Sequence, residues 1–461
     1  PRLPGPLPEG GRLRVEDGKL LGVAADGKVL WSQDYPSPTG PIPQLICRDE
    51  QARATAFNLR YSALGEAAPP GGVPAPAQEY LNFVFVPKDY DSKKACGLFI
   101  ALHGGGGTDS VDQGAARSQG HVDRALAEEG SDMIRVNLGA PRIAPLKWNF
   151  PESEIHFQSV IEEYSTRYHI DPDRVFIAGT SMGGIGSWWH AFRQGDRFAA
   201  FLPVVGNFDT AYWPRLRGMR ILFRSGAYDG RYQRVDWTRY AHQRLKAFGI
   251  PHIDGEFPGG HSGDSSSGGL AEVVHDILKN ARRNPYPARA CAVSPFTARS
   301  SPGPTAYQGT EEERVRRFPH QPYSFWTSVL ETGPGGIVVE EIERGGDPTR
   351  FKPVRRMMNA GAVDAENLGG NRFRVKTTNV RRFALWLHPK MGVDLAKPIE
   401  IEVIETRVDP ETLAESEQGR RKITARATPS LAAMLRYLGD RRDYGLIYHA
   451  AVEVTVGDNG G

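Results

Sequence analysis

The rhythm of hydrophobic and polar positions changes twice along the chain. Between about 78 and 286, short apolar runs alternate with longer stretches whose apolar residues recur at helical spacing. Tyr80–Val86 alternates apolar with polar residues, as a strand with one buried face does. Leu98–Leu102 and Val175–Ala178 are continuously apolar, the pattern of strands covered on both faces. Met133–Asn137, Phe198–Val205 and Arg220–Phe223 add further strands, and a last one precedes His261. Glu152–Tyr168, a segment starting near Met182, Arg234–Phe248 and Gly269–Arg283 read as the intervening helices. This alternation predicts an α/β fold with a mostly parallel, doubly wound sheet. Ligands of such sheets bind beyond the carboxyl ends of the strands.

The flanks differ. In 1–77, rich in Pro and Gly, the alternating runs Arg12–Val15 and Val29–Trp31 predict a small β-hairpin around Asp26-Gly27. An exposed linker of Ala, Pro and Gly follows at Ala67–Pro76. After 286 come the β-rich runs Val338–Ile342, Arg372–Lys376, Phe383–Leu387, Glu400–Ile404 and Ala451–Val456, interrupted by a helix at Ser430–Leu438. They predict a β-sandwich with a helical insert. The expected organisation is an N-terminal extension over 1–77, a catalytic α/β domain over 78–286 and a C-terminal β-rich domain over 287–461.

Composition narrows the function classes. A chain of 461 residues exceeds one ordinary core. Its 57 basic and 54 acidic residues leave a net charge of +3, without the concentrated basic face that nucleic-acid binding needs. The pairs Arg355-Arg356 and Arg381-Arg382 read as solvated surface charges. No run approaches the roughly 20 apolar residues of a membrane span. Cys47, Cys96 and Cys291 lack CxxC spacing, which argues against a zinc or redox motif, and Cys96 reads as a small buried side chain. The chain starts with Pro rather than Met, so its native N-terminus, with any signal peptide, is expected to have been removed, which says nothing about compartment; the expected location is periplasmic or extracellular.

Candidate chemistry centres on Val175-Phe176-Ile177-Ala178-Gly179-Thr180-Ser181-Met182-Gly183-Gly184, an apolar strand running into G-x-S-x-G and then a helix. A serine hydroxyl becomes a useful nucleophile when a tight turn presents it to a base. Such a turn tolerates little bulk beside the serine, which the flanking glycines provide. The pattern alone also fits a plain strand–helix turn; the apolar strand and helix around it favour the nucleophile. Upstream, Leu98–Leu102 runs into His103-Gly104-Gly105-Gly106-Gly107. There the backbone N–H of Gly104 or Gly105, with that of Met182, would form an oxyanion hole. A phosphate-cradling loop would need a following Gly-Lys-Ser/Thr, which is absent. His103 reads as a structural loop residue.

Triads on such turns run Ser, acid, His along the chain. Asp229, in Ser225-Gly226-Ala227-Tyr228-Asp229 after a strand, ranks first as the acid; Asp236 ranks second and Asp209 third. Among later histidines, His242 and His275 fall within helices and His252 starts a strand. His261, in Pro258-Gly259-Gly260-His261-Ser262-Gly263, lies in a loop after a strand and is the candidate base.

LHGGGG, the segment from Asp171 to Gly184, G-x-x-D and P-G-G-H together resemble bacterial feruloyl-esterase-like and polyhydroxybutyrate-depolymerase-like hydrolases, close to the prolyl oligopeptidase type of α/β-hydrolase. The resemblance covers about 80–286 and implies a serine carboxylic ester hydrolase with Ser181, Asp229 and His261 as triad. It implies no metal and no cofactor. The connection between the strands at Phe198–Val205 and Arg220 is too short for a lid domain, which predicts an open site suited to a bulky or polymeric ester, such as a feruloyl or acetyl polysaccharide ester or a polyester. Trp148, Trp188, Trp213 and Tyr228, with Phe150 and Tyr212, are candidates to line its mouth. Two other classes stay open: a serine peptidase of prolyl oligopeptidase type, disfavoured because no propeller precedes the catalytic region, and a non-catalytic glycan- or partner-binding protein. Oligomeric state is not legible.

Overall fold

The computed structural model describes residues 12–16, 19–23, 26, 28–34, 44–48, 54–58, 83–104, 132–139, 148–149, 151–208, 210–230, 233–261, 276–296, 322–343 and 351–457. The expected linker at 67–76 and the candidates Gly105, Phe150, Asp209 and His275 lie outside them.

A seven-stranded sheet organises the first half of the chain. Its strands are β1 (Phe83–Phe85), β2 (Cys96–Leu102), β3 (Met133–Leu138), β4 (Ile170–Thr180), β5 (Ala200–Val204), β6 (Ile221–Gly226) and β7 (His252–Phe257). The order is β7-β6-β5-β4-β2-β3-β1. All neighbours are parallel except β1, which runs antiparallel to β3. Chain order reverses between β2 and β4, so the crevice expected of a doubly wound sheet opens beside the end of β4.

The apolar runs explain the layering. Alternate residues of one strand point to opposite faces. Leu98, Ile100 and Leu102 of β2 join one core, while Phe99 and Ala101 join another that includes Ile277, Leu278 and Ala281. Val175 and Ile177 of β4 divide in the same way from Phe176 and Ala178. Helices α1 (Pro151–Arg167) and α2 (Met182–Gln194) contribute Phe157, Trp188 and Phe192 to the first core. Helix α3 (Arg234–Ala247) joins β6 to β7.

The tail forms two facing sheets, and its hairpin Ile337–Ile342/Pro353–Met358 makes a third small sheet with Thr210–Ala211. Its strands are β8 (Arg289–Ser294), β9 (Tyr323–Ser324), β10 (Thr327–Thr332), β11 (Ile337–Ile342), β12 (Pro353–Met358), β13 (Gly361–Gly369), β14 (Arg372–Thr378), β15 (Val380–Leu387), β16 (Ile399–Val408), β17 (Glu415–Ala425) and β18 (Ala450–Thr455). One sheet has the order β8-β13-β14-β16-β17 and the other β9-β10-β15-β18. In β14, Phe373 and Val375 are buried while Arg372 and Arg374 face water, the alternation of a half-buried strand. Trp326 and Phe373 meet between the sheets, ring centroids 5.6 Å apart. The helical insert, α4 (Leu431–Arg441), starts at Ser430, whose hydroxyl accepts the N–H of Ala433 at 3.3 Å.

At the N-terminus the expected hairpin around Asp26 is present, but its first strand is corrected. Val29–Asp34 pairs with Lys19–Val23, and Arg12–Glu16 is a third strand on the far side of Lys19–Val23. The turn does hold Asp26, whose carboxylate accepts the N–H of Lys28. Cys96 and Cys291 are buried free thiols. Among the described residues, no helix is long and apolar enough to cross a membrane.

Candidate active site

Ser181 stands between the end of β4 and the first turn of α2, with φ 57° and ψ −112°. A non-glycine residue rarely holds positive φ, and one that does stores backbone strain at a place the surroundings enforce. Here the enforcement is visible. The Ser181 N–H donates to the Val204 carbonyl (2.9 Å), and its own carbonyl accepts the N–H of Ile185 (2.9 Å). The two glycines of G-x-S-x-G are required by contact: a β-carbon on Gly179 would stand 2.4 Å from the Gly183 carbonyl, and one on Gly183 would stand 2.2 Å from the Leu102 oxygen. Larger residues would push the strand, the elbow and α2 apart.

Oγ of Ser181 lies 2.8 Å from Nε2 of His261, and Nδ1 of His261 lies 2.8 Å from Oδ2 of Asp229. An ionised carboxylate only accepts hydrogen bonds, so the imidazole proton belongs on Nδ1 and Nε2 is left as acceptor for the serine hydroxyl. Asp229 is 1% exposed, and its carboxylate reaches the ring from the loop after β6. That loop is tied to the histidine's loop by two backbone bonds, from the N–H of Ala227 to Phe257 O (2.8 Å) and from the N–H of Tyr228 to Gly259 O (3.0 Å). The structure thus brings together the three residues expected from the sequence. Asp236 sits in the first turn of α3, where a negative charge favours the helix N-terminus.

His103 is buried, and its Nδ1 lies 2.8 Å from the Gly104 oxygen; burial pushes its imidazole below the usual histidine range. Gly104 lies against the elbow, so a β-carbon there would stand 3.3 Å from the Thr180 oxygen and 3.8 Å from Cβ of Ser181. Met182 opens α2 directly after the serine.

Three of the four candidate substrate-binding aromatics are corrected. Trp148 is fully buried, donates its indole N–H to His103 O (3.0 Å) and packs edge-on against that imidazole. It therefore positions the His103-Gly104 turn. Trp188 is buried among Phe192, Phe208 and Phe223. Trp213 is buried and donates to Glu340 of β11. Each large ring stabilises more as core than it could on a wetted surface. Tyr228, at 80% exposed, remains at the surface beside Asp229.

Sequence reasoning missed Glu340. It accepts hydrogen bonds from Trp213 Nε1, Tyr240 Oη (2.8 Å) and Arg244 Nε (2.9 Å). With Thr210–Ala211 paired to Glu340–Glu341, it seats the tail on the short connection between β5 and β6. No local signal marks it, because its partners lie about a hundred residues away in the chain.

Residues 156–231, which hold the elbow and Asp229, match the model of the prolyl oligopeptidase family. The chain has the α/β-hydrolase fold. This chain is 29% identical to dipeptidyl-peptidase 5 of Porphyromonas gingivalis over 137 residues, 28% of this chain and 19% of that protein. It thus spans about a fifth of the length of that relative. Among solved structures, a thermostable esterase aligns over 57% of this chain and 70% of its own with 18% identity and a TM-score of 0.36. A ferulic acid esterase aligns over 43% of this chain and 91% of its own with 20% identity and a TM-score of 0.35.

Proposed function

We propose that the chain hydrolyses carboxylic esters through a covalent acyl-serine intermediate. The observation that carries this reading is the continuous path from Asp229 Oδ2 through His261 to Ser181 Oγ, with both contacts at 2.8 Å and the serine on a strained elbow. In this reading His261 Nε2 takes the hydroxyl proton as Oγ attacks the ester carbonyl. Asp229 fixes the tautomer and stabilises the imidazolium. The N–H of Met182, with that of Gly104 or Gly105, receives the developing oxyanion. His261 then returns the proton to the leaving alcohol, and water, activated by the same imidazole, releases the acid. No step calls on a metal or cofactor.

The substrate class proposed is a bulky or polymeric ester: a feruloyl or acetyl ester of a polysaccharide, or a polyester. Its support is the short β5–β6 connection, occupied by pairing with β11, and the exposure of Tyr228 beside the acid. A second reading, a serine peptidase, is favoured by the family match over 156–231 and the similarity to a dipeptidyl-peptidase.

Hydrolysis of a p-nitrophenyl ester and of an N-blocked peptide anilide by wild type and Ser181→Ala separates the readings. An esterase cleaves the ester, leaves the anilide nearly untouched and loses activity with Ser181. Preference for the anilide supports the peptidase. Equal rates in wild type and variant contradict both and leave a binding protein.

A further inference from the structure

We propose that His242, His252 and Asp254 form a binding site for a divalent transition-metal cation, Zn2+ by its donor set, which clasps α3 to the edge strand β7. His252 and Asp254 are two residues apart on β7 and so share one face of the strand. His242 reaches them from α3. Nε2 of His252 lies 3.1 Å from Nδ1 of His242. Oδ1 of Asp254 lies 3.0 Å from that Nδ1 and 3.9 Å from the His252 nitrogen. Ligands held at roughly 2.0–2.1 Å around tetrahedral Zn2+ stand about 3.3 Å apart. The three observed edges straddle that value, so a cation fits with small side-chain adjustments.

The protonation pattern points the same way. Nδ1 of His252 is 2.8 Å from the Ile250 carbonyl oxygen, which can only accept. The proton is therefore on Nδ1, and the Nε2 lone pair faces His242 and Asp254. A backbone carbonyl orienting the far nitrogen in this way is the usual support of a metal-binding imidazole. The Phe223 ring stacks on His252 at 5.8 Å and 24°, which restrains its rotation. Without a cation, Nδ1 of His242 must donate one proton between two acceptors, His252 Nε2 and Asp254 Oδ1. With a cation, all three atoms present lone pairs to it and the His242 proton resides on Nε2. Two imidazoles and one carboxylate favour Zn2+ over Mg2+ or Ca2+. His242 and Asp254 are 40% and 35% exposed, which leaves the fourth position to water.

The site is distinct from the hydrolytic one. His252 and Asp254 lie at the start of β7, whereas His261 follows its end. The helix it would clasp follows the loop that carries Asp229, so the cation's role would be to fix that helix.

The test uses the whole chain after chelator treatment. Calorimetric titration with Zn2+ alone should show one tight site per chain that is lost in His242→Ala and weakened about tenfold or more in Asp254→Asn. Co2+ should give the visible absorption of a four-coordinate centre, absent in His242→Ala. Circular dichroism checks that the variant folds; should it fail, the Co2+ spectrum of the wild type decides by itself. Ester hydrolysis should be the same with and without the cation. Identical Zn2+ isotherms in wild type and a folded His242→Ala, or no four-coordinate Co2+ absorption in wild type, would overturn the proposal and leave a hydrogen-bonded cluster only.

Discussion

Two regions of this molecule bury a carboxylate almost completely and use it in opposite ways. At the strand ends, Asp229 faces the imidazole of His261, whose other ring nitrogen meets the Ser181 hydroxyl. At the seam between the central sheet and the tail, Asp196 faces Arg441, whose charge is permanent, at 2.6 Å, and also accepts the N–H of Phe325 at 2.9 Å. Burial by itself would raise the Asp196 carboxyl, but the guanidinium groups of Arg441 and Arg215 and the Phe325 amide hold it below the usual carboxylate range. Arg283 bridges the same seam, bonding Asp443 at 2.6 Å and Asp173 at 2.9 Å. A fixed cation locks two parts of the chain together, whereas an imidazole between a carboxylate and a hydroxyl can hand a proton on. The difference fits adhesion in one region and the proposed chemistry in the other.

The largest expected effect tests the chemical side. Asp229→Asn should lower kcat for a p-nitrophenyl ester by about 10^4-fold while the protein stays folded. Asp236→Asn should stay close to wild type, and the reverse outcome would move the acid role to α3. On the adhesive side, Arg441→Met strands the Asp196 charge and should cost about 3–5 kcal/mol of stability in urea unfolding, with little change in kcat per folded molecule. A comparable loss of kcat would show that the two regions are coupled.

Acid sharpens the contrast. Asp196 and Asp443 both have carboxyls held low in the folded state, Asp443 by Arg283 against the opposing effect of burial. Their unfolded value is about 3.9. The stability they contribute is therefore complete above that value and is lost as pH falls through it towards the lower folded values. Wild type should lose stability more steeply below about pH 4 than Arg441→Met does, as read from urea midpoints across pH. The smallest effect expected is at Tyr228→Ala: unfolding within about 0.5 kcal/mol of wild type and a modest rise in KM, since its ring is exposed beside Asp229.

What was legible in the sequence follows from how local each constraint is. The elbow at Ser181 could be read because its requirements fall within a few residues: an apolar strand, two glycines in contact, and a helix. Asp229 and His261 were readable from chain order, as each lies in the loop after a later parallel strand of the sheet that carries the elbow. The aromatic residues were not, because one-dimensional spacing does not say which side of α2 or of the His103 turn a ring occupies. The tail's docking was equally hidden. Glu340, Asp196 and Arg441 look like ordinary surface charges until segments more than a hundred residues apart come together and bury them. Strand β17 escaped for the opposite reason: most of its residues face water, so it shows no hydrophobic alternation.

The most direct test of the central claim is covalent trapping. Wild type, Ser181→Ala and His261→Ala would each be incubated with a fluorophosphonate, followed by intact-mass measurement and peptide mapping. One adduct per chain is expected on Ser181 in wild type, with none in Ser181→Ala and greatly slowed labelling in His261→Ala. An adduct on another residue, or labelling of wild type no faster than of His261→Ala, would contradict the central claim.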